Sequence, residues 1–104
     1  MSQADTFEAN EENTIIGAPQ LDGHPLSRTF AVPSLKLEGS VLVAHDGVLG
    51  DLAVSATMAG KPLSYPDQVI HGESDKEVQD HLSEESVYGL VNQLVALPEA
   101  QELR

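Results

Sequence analysis

Between residues 35 and 58, two runs of alternating residues face each other across an Asp-Gly pair, and no other stretch limits the fold so strongly. Odd positions read Leu35, Leu37, Gly39, Val41 and Val43, while the even positions Ser34, Lys36, Glu38 and Ser40 are polar. Side chains alternate across a strand, so this is the pattern of a strand buried on one face. After Asp46-Gly47, a pair suited to the positive φ angles of a two-residue type I′ loop, the apolar positions are Leu52, Val54, Ala56 and Met58. With 46 and 47 as the loop, Val43 opposes Gly50, Val41 opposes Leu52, Gly39 opposes Val54, Leu37 opposes Ala56 and Leu35 opposes Met58. Every pair then shares a face, so the spacing predicts a hairpin over 35–58.

The flanks add less. Thr29–Val32 predicts a further strand stopped by Pro33, Gly60-Lys61-Pro62 is expected to end the second hairpin strand, and Gln68–His71 reads as a short strand. Ser74-Asp75-Lys76-Glu77 then has the form of a helix capping box. Behind it Val78, Leu82, Leu90 and Leu94, with the adjacent row Val87, Val91 and Val95, make one apolar stripe at helical period. Ser83 is a second possible N-cap that would split this helix, Gly89 weakens it, and Pro98 stops it. The expected fold is α+β: a small antiparallel sheet of three to four strands, with the central hairpin 35–58, packed against one C-terminal helix. The domain is expected over 28–97, with a short tail at 98–104.

Residues 1–27 carry Asp5, Glu8, Glu11 and Glu12 with no base until Arg28, and Gly17, Pro19, Gly23 and Pro25 follow. So little apolar surface predicts a flexible acidic arm. Ile15 and Ile16 are its exception. Two adjacent isoleucines are costly to leave wet, so they cover the chain's own core or anchor the arm on a neighbour.

Charge narrows the partners. Seventeen acids against five bases give a formal net charge of −12 over 104 residues, and Arg28, Lys36, Lys61, Lys76 and Arg104 stand singly. Such a chain repels polyanions, which argues against direct nucleic-acid binding and against an anionic membrane surface. The acidity fits high-salt solubility, a docking surface for a basic partner protein, or mimicry of nucleic acid that blocks a DNA-binding protein. The absence of cysteine removes disulfides, thiolate metal sites and Cys nucleophiles. Met1-Ser2-Gln3-Ala4-Asp5 has no signal-peptide character and no apolar run approaches a membrane span, so a cytoplasmic setting is expected.

Candidate chemistry is sparse. His71, Glu73 and Asp75 alternate and would point one way in an extended segment, yet the spacing matches no described metal site. Glu77, His81 and Glu85 fall at i, i+4 and i+8 of the expected helix, which reads first as a solvated acidic face. His45, Asp46 and Asp51 sit near the hairpin tip, where a His beside a carboxylate is a possible general base. His24 has nothing adjacent to complete a site. No Gly-x-Ser-x-Gly, Walker loop or dinucleotide fingerprint is present, so no cofactor and no metal is expected.

The expected function is a non-catalytic interaction, assembly or regulatory module. Its docking residues would be Ile15 and Ile16 of the arm, or Asp75, Glu77, Asp80, His81, Glu84 and Glu85 of the acidic helix. Self-association into a homo-oligomer is also expected, because a hairpin leaves open edges. The alternative is a small enzyme or small-molecule binder with a site at an oligomer interface, for which His45, Asp51, His71 and Glu73 are the candidates.

Overall fold

The computed structural model describes residues 7–22, 25–46, 48–71 and 74–103 of the chain, and of Asp75 only the backbone. Strands β1 (Ile15–Ile16), β2 (Leu26–Val32), β3 (Leu37–His45), β4 (Leu49–Met58), β5 (Lys61–Leu63) and β6 (Gln68–His71) precede helices α1 (Asp75–Asp80), α2 (Glu84–Val95) and α3 (Pro98–Leu103). All strand pairs are antiparallel and run in chain order, β1 to β5, with β6 also on β4.

The α+β class holds, with more pieces than the three to four strands and single helix expected. The two strand faces are as the alternation demands. Phe30, Val32, Leu37, Val41, Val43, Leu52, Ala56, Met58, Leu63 and Ile70 are buried on one face. Val78, Leu82, Val87, Val91, Leu94 and Val95 of the helical segment close over them in one core. Burying a Val, Leu or Met side chain contributes roughly 1.5–3 kcal/mol.

The hairpin register differs from the expected one by two residues. Val43 faces Leu52, Val41 faces Val54, Gly39 faces Ala56 and Leu37 faces Met58, and His45↔Gly50 is the last pair. The reason is Asp46. Its carboxylate oxygen accepts the N–H groups of Val48 and Leu49, each at 2.9 Å, and its own N–H donates to the Leu49 carbonyl at 3.1 Å. One side chain thus ties Asp46 to Val48 and Leu49 beyond the last strand pair, and Gly47 of the expected loop lies outside the described residues. A shift of two leaves the faces intact because the side-chain period is two.

The two-residue loop occurs elsewhere. Met58 pairs with Lys61, and the intervening Ala59 and Gly60 have φ of 54° and 82°, the positive values a type I′ loop requires. Gly60-Lys61-Pro62 therefore turns the chain into β5 where a strand end was expected. Alanine is strained at positive φ. Ala59→Asn should stabilise the fold by about 1 kcal/mol, read as a higher urea midpoint with an unchanged slope.

β5 and β6 are two parts of one interrupted edge strand. Ala56 pairs with Leu63 and Leu52 with Gln68, so residues 53–55 face the four residues 64–67. The extra residue makes a bulge, which contains Pro66. Ser64 N–H donates to Glu99 at 2.9 Å and the Tyr65 hydroxyl donates to Gln93, tying the bulge to α3 and α2.

The helical region divides at Ser83, the second cap noted in the sequence. Ser74 and Glu77 form the reciprocal capping box of α1, and Ser83 Oγ accepts Ser86 N–H at 3.2 Å to begin α2. The expected tail is helix α3, with Ala100 fully buried.

Within the segment expected to be a loose arm, residues 7–22 are joined to the domain. Ala9 is buried and its N–H donates to Asn92 Oδ1 of α2 at 2.7 Å. Ile16 pairs with Phe30 and packs on the core with Phe7, and Gly17 N–H donates to Thr29 at 3.0 Å. Few apolar groups are available, but Phe7, Ala9 and Ile16 reach the core, and β1 adds an edge to the sheet. Residues 1–6 lie outside the described residues.

Candidate functional site

The core-side surface carries the acidic helices. Glu77 accepts Ser74 N–H at 2.8 Å in the capping box. Asp80 lies 3.4 Å from Lys76, both exposed, and Glu84 lies 3.7 Å from Arg28. Glu85 is exposed in the first turn of α2. His81 is the half-buried C-cap of α1. The break at 81–83 corrects the expected single face of Glu77, His81 and Glu85, since Glu77 and Glu85 belong to different helices. Asp75 opens α1, and its side chain lies outside the described set.

Among the described residues, Asp46 and Glu77 have lowered pKa values. Asp46 is held below 3.8 chiefly by the Leu49 N–H and then by that of Val48, and Glu77 below 4.5 by the Ser74 N–H and then its hydroxyl. A folded pKa below the unfolded one adds stability that is complete above the unfolded value and lost as pH falls through the folded one. The loop and the α1 cap should therefore weaken below about pH 4. Asp46→Asn combined with Glu77→Gln should make the acid limb of a Tm–pH profile shallower.

The catalytic candidates are brought together only in part. His45 lies at a core-side position of β3 opposite Gly50, whereas Asp51 is paired with Ala44 on the other face and is exposed. Both nevertheless line one open hollow of about 400 Å³ at the hairpin end, together with Asp46, Leu49 and Val69. His71, opposite Leu49, is exposed on the Asp51 face, one diagonal step away. Glu73 and His24 lie outside the described residues. Among the described residues, no three His, Asp or Glu side chains converge as a metal site.

One cleft holds convergent polar groups. Val41 and Leu52 floor it, Ser86, Gly89 and Leu90 of α2 form a wall, and Tyr65, Gln68, His81 and Gln93 complete it. Its volume is about 190 Å³, under the roughly 300–1,000 Å³ of typical small-molecule sites. The Ser86 hydroxyl donates to the Asp80 carbonyl at 2.9 Å, which occupies the proton a nucleophile would need to lose.

The opposite sheet face has no covering element among the described residues. Its strand positions are Ser27, Thr29 and Ala31 of β2, then Glu38, Ser40, Leu42 and Ala44 of β3. Leu49, Asp51, Ala53, Ser55 and Thr57 of β4 and Val69 and His71 of β6 follow. None is buried. Ile15 of β1, paired with Ala31, extends this face and is 61 % exposed, whereas Ile16 serves the core. Leu49 and Val69 are 52 % and 63 % exposed, beside Val48 at 68 %. Local spacing alone does not mark Val48, Leu49 and Val69 as an exposed apolar group. A signal existed: the outward positions 42, 44, 49 and 53 are Leu, Ala, Leu and Ala, so both parities turn apolar toward the hairpin end.

Among the described residues, no helix is long and apolar enough to cross a membrane. Comparison with protein-family models, with curated proteins and with solved structures finds no match to this chain.

Proposed function

We propose that this chain is a non-catalytic interaction module that docks on a larger protein with a basic surface. The observation that carries this reading is the distribution of charge. Glu38, Asp51, Asp67, Glu77, Asp80, Glu84, Glu85 and Glu102 are all exposed, while Arg28 is largely buried and, among the described residues, Lys36, Lys61 and Lys76 are the exposed lysines. A surface this one-sided accelerates encounter with a cationic partner and rejects polyanions. The test is binding to a partner recovered by cross-linking from the native source. Association should slow steeply with added salt and survive His45→Ala and His71→Ala. Association that is insensitive to salt, or lost with either histidine, would contradict the reading.

A further inference from the structure

The edges of this sheet resist strand addition. β1 is two residues long, and the β5–β6 edge carries Pro62 and Pro66 around its bulge. The free face is different. Its centre is small-residued, with Ala31, Ser40, Ala53 and Ser55, and Leu42, Leu49 and Val69 gather at the hairpin end. Val69 pairs with Asp51, and Leu49 pairs with His71 on the neighbouring strand. Leu49 and Val69 are thus diagonal neighbours on one face, not scattered residues.

Charge selects the occupant. The acidic side chains of this face are Glu38 and Asp51, His71 is its one imidazole among the described residues, and no Lys or Arg occupies any of its strand positions. A second copy stacked face to face would bring carboxylates together with no Lys or Arg to answer them. A partner with aliphatic side chains between Lys or Arg residues matches both the apolar centre and the acids.

Resting on the docking reading above, we propose that the uncovered face around Leu42, Leu49, Ala53 and Val69 receives a cationic amphipathic segment of a partner protein. The test titrates the isotopically labelled full chain with two synthetic peptides of equal charge, one alternating Lys with Leu at helical spacing, the other with Ser in place of Leu. The Leu peptide should shift the resonances of Leu42, Leu49, Ala53 and Val69 and bind about tenfold more tightly than the Ser peptide. Leu49→Asp with Val69→Asp should remove that advantage while leaving Tm nearly unchanged, since both side chains are exposed. Equal binding of both peptides with shifts confined to α1 and α2 would overturn the assignment of the face and keep the acidic docking reading. Binding by neither peptide would overturn both. Dimerisation in sedimentation that the double variant abolishes would replace the foreign partner with a second copy.

Discussion

Arg28→Met should destabilise the protein by about 3 kcal/mol, a fall in Tm of roughly 15 °C for a domain this size. Arg28 lies on the core side of β2, opposite Val41, with its side chain 12 % exposed. Its Nε–H donates to the Gly17 carbonyl at 2.7 Å and its Nη1–H to the Leu82 carbonyl at 2.8 Å. One guanidinium therefore joins the N-terminal segment, the sheet and the junction between α1 and α2. Methionine keeps the stem volume but leaves both carbonyls without these charged donors. The partner carboxylate contributes far less. Glu84 is 66 % exposed at 3.7 Å, so Glu84→Gln should cost no more than about 0.5 kcal/mol. Urea melts of the two variants separate the roles, and equal losses would show that the ion pair, not the carbonyl bonds, holds this junction.

Gly39→Ala should be of similar size, about 3 kcal/mol. A Cβ at this position would sit 2.8 Å from both Cα and Cβ of Ala56 and closer still to the Ser55 carbonyl oxygen. Both obstacles are on β4, so the central strands would have to part. Adding Ala56→Gly should recover only part of the loss, because the Ser55 carbonyl remains. Gly89 is the internal control. A Cβ there meets nothing within 4 Å, so Gly89→Ala should stabilise α2 by up to about 1 kcal/mol. Thermal melts of the three variants check the contrast.

Local chemistry was legible in the residues. Strand alternation named the buried face from Leu37 to Met58, Ser74 and Glu77 named the start of α1, and Ser83 offered the break before α2. Misreadings arose where one side chain overrode a local preference. Asp46 satisfies the amides of Val48 and Leu49 and lengthens a loop that Asp-Gly chemistry would have made tight. Ala59 accepts an angle alanine usually avoids, so the turn into β5 carried only half of its usual signature. Long-range contacts left no local trace. Nothing near Arg28 in sequence points to Leu82, and nothing near Ala9 points to Asn92. Polar composition thus disguised residues 7–22 as an arm although Ile16, Phe7 and Ala9 reach the core. For the candidate site, the acids of the helix were legible as a group, but not that Glu77, Asp80 and Glu84 each have a partner within the chain. The free face was visible only in the apolar outward positions 42, 44, 49 and 53.

A sheet roofed on one side and bare on the other is the claim on which the docking account stands. Relaxation of methyl resonances by a soluble paramagnetic reagent measures it directly in the partner-free chain. The methyls of Leu42, Leu49, Ala53 and Val69 should relax strongly, while those of Val41, Val43, Leu52 and Ile70 on the opposite side of the same strands should be shielded. Equal shielding of both sets would mean that the second face is already covered within the protein, and the account would be wrong.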